Sequence, residues 1–181
     1  DIVKRNNVTI FSFNMALYAD FSRRIRMILR EVAPHIEVYS IDEAFLDLRG
    51  VSNDDFDVFA KELSTRCRRL TGIPVSVGVA PTKTLAKIAA ELCKRYPKLR
   101  GGCYMHRDED IIKVLKKTAV EDVWGIGRRT TPRLKARGIQ TAYDFRVLPR
   151  EWVQRNMGIT GVRTWQELNG IPAIGFEAVA E

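Results

Sequence analysis

Tyr39-Ser40-Ile41-Asp42-Glu43-Ala44-Phe45-Leu46-Asp47-Leu48 sets two adjacent carboxylates between two apolar, strand-like segments, Ile36 to Tyr39 and Ala44 to Leu48. Burying unpaired charge is costly, so acids inside such a stretch need a reason. Neighbouring side chains on a flat strand point to opposite faces. Asp42 and Glu43 therefore converge only where the chain bends, and the stretch reads as a β-hairpin with both acids at its turn. Two carboxylates held together repel unless a cation neutralises them. Hard oxygen donors of this kind suit Mg²⁺. The bland alternative is a tight turn carrying two solvated acids.

Outward from the hairpin, helical and extended patterns alternate. Val8 to Phe11 is a short β-prone run. From Asn14, apolar residues recur at Leu17, Phe21, Ile25, Ile28, Leu29 and Val32, one face of a helix that Pro34 ends. After the hairpin, Asp54 is a candidate N-cap for a second helix with Phe56, Phe59, Leu63, Cys67 and Leu70 on one side and Gly72 near its end. Val75 to Val79 reads as a strand, and Pro81-Thr82 opens a third helix that Pro97 stops. This order predicts an α+β layer, an antiparallel sheet backed by helices. Beyond Pro97 the texture changes. Arg100-Gly101-Gly102 reads as a loop, and the remainder as short helices punctuated by glycine, a small all-α domain. The glycine-containing turns near 125 and 158 bear only a weak likeness to each other.

Composition narrows the classes. The chain has 181 residues, 45% of them hydrophobic, enough for one or two domains with real cores. No apolar run approaches membrane-span length, and no charged-then-apolar leader is visible at Asp1. Cys67, Cys93 and Cys103 lack metal-ligand spacing, which argues for reduced thiols in a cytoplasm-like compartment, and His35 and His106 match no zinc pattern. The net charge of +8 is unevenly spread. Residues 1–82 hold 11 Lys/Arg and 11 Asp/Glu, whereas 83–119 hold 10 and 4. A balanced half bearing the acid pair is joined to a basic half, a polarity that suits a polyanion.

Two further motifs carry chemistry. In the helix after Thr82 the apolar stripe is Leu85, Ile88, Ala89 and Leu92, which leaves Lys83, Lys87 and Lys94 on the opposite side. Lys83 and Lys87 are candidate contacts to a triphosphate, aided by the positive end of the helix; the alternative is a solvated lysine face. Val123-Trp124-Gly125-Ile126-Gly127-Arg128-Arg129 then reads as the turn of a helix-hairpin-helix. Glycines let backbone N–H groups approach a phosphate, Ile126 anchors the turn, and Arg128 and Arg129 supply charge. Such a turn grips the DNA backbone without reading bases. A packing hairpin is the alternative, and Trp124 reads as a core residue.

Taken together, Ser40-Ile41-Asp42-Glu43-Ala44-Phe45-Leu46-Asp47, Val77 to Ala89 and Trp124-Gly125-Ile126-Gly127-Arg128-Arg129 resemble the Y-family translesion DNA polymerases, in particular their UmuC-type branch. The resemblance spans roughly residues 8–172. It implies a partial palm over 1–96, a thumb with the helix-hairpin-helix over 97–172, and the start of a linker to a little-finger domain over 173–181. In the family a palm strand with a further metal-binding Asp, and a fingers domain, precede this region. The resemblance thus marks an internal segment, inactive by itself, whose sheet has an uncovered edge.

The implied activity is error-prone, template-directed DNA synthesis past lesions, in DNA repair and the SOS response, by two-metal nucleotidyl transfer. Asp42 and Glu43 would be catalytic and metal-binding, with two Mg²⁺ ions in the full-length enzyme. Lys87 and Lys83 would meet the triphosphate, and Gly125, Ile126, Gly127, Arg128 and Arg129 the DNA backbone. The implied partners are primer–template DNA, deoxynucleoside triphosphates, a UmuD-type accessory protein and the sliding clamp, with no membrane, in the bacterial cytoplasm and on the nucleoid during repair. Two other readings are a non-catalytic DNA-binding module built on the glycine hairpin and a palm-type nucleotidyl cyclase.

Overall fold

A computed structural model describes residues 2–52 and 55–177. A four-residue helix α1 (Ile2–Arg5) precedes α2 (Met15–Arg30), which starts where the Asn14 side chain accepts a hydrogen bond from the Leu17 N–H at 3.0 Å. Strands β1 (His35–Val38) and β2 (Ala44–Asp47) pair antiparallel with Val38 opposite Ala44, which makes residues 39–43 the hairpin loop. Helix α3 (Phe56–Thr71) follows and ends on Gly72 at φ 76°, a left-handed conformation glycine adopts without a Cβ clash. The cap expected at Asp54 lies outside the described residues; Asp55 accepts from the N–H groups of Asp57 and Val58. Strand β3 (Val77–Val79) leads to α4 (Lys83–Arg95), capped by Thr82. Beyond a 3₁₀ turn at Pro97–Leu99 come β4 (Gly102–Tyr104) and the helices α5 (Asp108–Leu115), α6 (Thr131–Lys135), α7 (Ala142–Arg146) and α8 (Arg150–Leu168), the last broken at Gly158.

Three local readings change. Residues 8–11 form no strand: among the described residues no strand pairs with them, and Ile10 and Phe11 stand exposed. Gly102, read as loop, opens β4, which lies parallel to β3 with Val77 opposite Gly102 and Val79 opposite Tyr104. Three residues, one of them glycine, carry too little pattern to announce a strand. Among the described residues the strands form two pairs, antiparallel β1–β2 and parallel β3–β4, rather than one antiparallel sheet. Between the pairs runs a cleft of about 2490 Å³, lined by Phe45 and Leu46 on one side and Val77 and Val79 on the other, with Leu17 and Phe21 of α2 facing it.

The β3–β4 pair is pressed against two helices through its glycines. A Cβ on Gly78 would stand 2.2 Å from the Ala86 carbonyl oxygen of α4, and one on Gly102 would stand 2.3 Å from the Lys61 nitrogen of α3. Apolar burial falls into two clusters. Ile28, Leu29, Ile36, Leu63 and Cys67 join α2, β1 and α3. The second runs from Leu85, Ile88 and Ala89 through Leu115, Phe145 and Val162 to Leu168. Chain order and packing interleave around residue 97. The preceding helix α4 gives its stripe to the second cluster, and the following strand β4 completes the pair with β3.

Candidate active site and nucleic-acid interface

The hairpin loop is shaped by Ser40. Its hydroxyl donates to Asp42 Oδ1 at 2.6 Å and accepts from the Glu43 N–H at 3.1 Å, while the Tyr39 and Ser40 N–H groups both donate to the Glu43 carbonyl at 3.0 Å. These bonds turn the chain tightly enough to leave both Asp42 and Glu43 exposed at the tip. Asp47, two residues past Phe45, is engaged separately. The Arg49 guanidinium hydrogen-bonded to it holds its carboxyl well below the usual range, at about 2.

The two lysines expected to act together divide. Lys87 Nζ reaches both carboxylate oxygens of Glu43 at 2.7 Å. It also lies over the rings of Tyr39, Trp124 and Phe45 at 4.9, 5.5 and 5.9 Å, within cation–π range. Lys83, one helical turn earlier, is committed elsewhere. Its ammonium contacts Glu37 Oε2 and the Gly175 carbonyl, each at 2.5 Å, and the two side chains are only 10% and 13% exposed. Moving that enclosed ammonium to a phosphate would cost Glu37 its counter-charge, leaving it only the Glu177 N–H at 2.7 Å. Lys94, on the same face, pairs with Glu91 in the open.

The glycine hairpin is seated by Val123 and Ile126, both in the second core, as expected for Ile126. Gly125 has φ 94°, and a Cβ there would lie 2.3 Å from Thr164 Oγ1. The Gly127 carbonyl accepts from the Thr130 and Thr131 N–H groups, starting α6, whose Pro132 sits in its first turn, where a missing N–H costs little. Arg128 and Arg129 are exposed and make no ion pair among the described residues. The first helix of the motif is reduced to a 3₁₀ turn, Val120–Asp122. Trp124 departs from expectation. It belongs to neither core cluster, and its Nε1–H donates to Tyr39 Oη at 3.1 Å.

Glu167 was not legible beforehand. Only 1% exposed on α8, it accepts from the Thr84 N–H at 2.9 Å through Oε2 and from the Ala173 and Ile174 N–H groups at 2.8 and 3.1 Å through Oε1. It thereby satisfies an unpaired donor of the first turn of α4 and fastens the segment after α8. A single Glu beside Leu168 has no local signature, since its partners are remote in sequence.

Among the described residues no group of three or more His, Cys, Asp or Glu side chains is arranged to hold a metal ion. Asp42 and Glu43 provide the donor type that Mg²⁺ takes from proteins, one or two carboxylates, with phosphate and water oxygens filling its shell. The cysteines are free, and burial pushes the Cys93 thiol up to about 12, so it is inert near neutrality. Among the described residues no helix is long and apolar enough to cross a membrane.

The overall fold that carries the acid-tipped hairpin, the lysine helix and the glycine hairpin is shared with solved DNA polymerases. The insertion ternary complex of Dbh DNA polymerase superposes with a TM-score of 0.77 at 27% identity, over 97% of this chain and 51% of that one. A Y-family DNA polymerase chimera of Dbh and Dpo4 superposes with 0.75, over 93% and 49%. In sequence, residues 2–91 match the impB/mucB/samB family model and residues 108–139 match the helix-hairpin-helix motif of the same IMS family. The chain belongs to this family. SamB of Salmonella typhimurium is 39% identical over 173 residues, covering 94% of this chain and 41% of the relative. UmuC of Salmonella typhimurium (strain LT2) is 38% identical over 179 residues, covering 98% and 42%. DNA polymerase IV 1 of Halalkalibacterium halodurans is 31% identical over 159 residues, covering 87% and 37%. The chain thus spans about two fifths of the length of these relatives.

Proposed function

We propose that this chain is the palm and thumb of an error-prone, template-directed DNA polymerase that copies past lesions during DNA repair and the SOS response. Residues 1–96 are the palm, 97–172 the thumb, and those from 173 onward lead toward a further domain. The observation that carries the reading is the Glu43–Lys87 contact, which brings the acidic hairpin, the lysine helix and, through Trp124, the glycine hairpin to one place.

Asp42 and Glu43 offer the carboxylates for Mg²⁺, two ions in the full-length enzyme. When bound, the metal supplies a Lewis acid for phosphoryl oxygens and lowers the pKa of the attacking hydroxyl. Lys87 meets the charge of the incoming triphosphate, a role for which it must leave Glu43, and so frees that carboxylate. Gly125 to Arg129 hold the duplex by its backbone, with exposed Arg128 and Arg129 at phosphates. By the same likeness the partners are primer–template DNA, deoxynucleoside triphosphates, a UmuD-type accessory protein and the sliding clamp, met in the cytoplasm and on the nucleoid.

The test is made in the full-length protein that contains this chain. Asp42→Asn with Glu43→Gln should abolish templated nucleotide incorporation and leave duplex binding intact, with affinity falling steeply as salt rises. Retention of synthesis by that double variant, together with loss of function on substitution of Gly125 or Gly127, would instead favour a non-catalytic DNA-binding module. The 181-residue chain by itself should incorporate no nucleotide.

A further inference from the structure

Three rings stand apart from both hydrophobic cores. Tyr39 and Phe45 flank the acid pair, three residues before Asp42 and two after Glu43. Trp124 immediately precedes Gly125, and its neighbours Val123 and Ile126 point into the second core while it does not. Phe45 and Trp124 stack at 5.6 Å with 30° between planes. Tyr39 meets Trp124 edge-on at 5.3 Å and Phe45 edge-on at 5.9 Å. The Trp124 Nε1–H to Tyr39 Oη bond adds direction to contacts that dispersion alone would leave free to slide. Trp124 follows the 3₁₀ turn at 120–122, and its carbonyl accepts a long bond, 3.5 Å, from Thr164 Oγ1 of α8.

We infer that Tyr39 and Trp124 form a positioning joint: they set the hairpin that grips the duplex backbone at a fixed distance and angle from the hairpin that carries the acids. The inference rests on the functional reading above and deepens it. Both partners sit within four residues of the groups they position, so a displacement at the joint moves the acids relative to the held duplex with little leverage lost. Neither residue touches substrate in this role. The joint acts through Asp42 and Glu43 on one side and Gly125 on the other. Lys87 lies over the same rings, so the joint also supports the lysine from below.

The experiment uses Tyr39→Phe, which removes one oxygen, and Trp124→Phe, which keeps a ring and removes the donor. In the full-length protein each should lower kcat for nucleotide incorporation roughly tenfold, since small misplacements of reacting groups are costly, while duplex Kd stays within about twofold. The combined variant should be no slower than Trp124→Phe alone, because both break one bond. Spin labels on Ile41→Cys and Ala136→Cys, in a Cys103→Ser background, should give a narrow distance distribution in the parent and a broadened one in either variant. A distribution as narrow as the parent's in both variants overturns the joint, as does a loss of duplex affinity matching the loss in kcat. Absence of synthesis in the parent would sink the polymerase reading, and the distance measurement would still decide whether the joint exists.

Discussion

Replacing Glu167 should be among the most damaging single changes in this chain, although it lies on no surface that meets a ligand. Its carboxylate takes three backbone N–H bonds, and Thr84, which donates one of them, is completely buried. Glu167→Ala leaves that amide without a partner, at about 2–3 kcal/mol, and two half-buried amides at roughly 1 kcal/mol each, a total near 4 kcal/mol. Glu167→Gln keeps one acceptor oxygen, which can serve either the Thr84 amide or the Ala173–Ile174 pair, and should cost about 2 kcal/mol. Urea denaturation at fixed pH reads both as shifts of the midpoint at constant m. Hydrogen exchange adds a local readout, with the amides of Ala173 and Ile174 losing protection in both variants. The reasoning fails if Glu167→Ala lies within 1 kcal/mol of the parent, or if the Gln variant is the less stable of the two.

Other outcomes follow from the same geometry. Gly78→Ala should destabilise by about 3 kcal/mol or more, because α4 must retreat from β3 to clear a Cβ aimed at its backbone; thermal or urea unfolding checks it. Lys83→Met and Lys87→Met should separate stability from anion binding. The first should cost about 3 kcal/mol by removing the counter-charge of Glu37, which keeps only the Glu177 N–H, while leaving tripolyphosphate affinity unchanged, and the second should weaken tripolyphosphate binding, read by calorimetry, with little loss of stability. Asp47 has a folded-state pKa lowered to about 2 from 3.8 by Arg49, so its contribution is present above about pH 4 and lost as the pH falls toward 2. The stability gap between the parent and Asp47→Asn should therefore close across that window, by a small amount, since Arg49 is 85% exposed.

Much was legible because it is local. The acid pair between apolar segments announces a hairpin from ten consecutive residues. Asn14 and Gly72 bound their helices through bonds made within a few residues, and Gly125 marks a turn at positive φ. These signals are short-range properties of backbone and side chain, and no knowledge of the rest of the chain is needed to read them.

Partner choice was decided by the tertiary structure. Lys83 and Lys87 share a helix face and a residue type, yet one is enclosed by Glu37, 46 positions away, and the other meets Glu43 across 44. Trp124 finds Tyr39 across 85 positions, and Glu167 finds Thr84 across 83. Among the described residues the β-prone run at 8–11 has no strand beside it, whereas the unpatterned Gly102–Tyr104 gains one in β3. A strand is completed by another strand and a buried charge by its counter-charge. By itself, therefore, the sequence determined where the chain turns, which faces are apolar and which residues carry charge. Folding decided which of those charges were consumed in holding the protein together and which remained free to act.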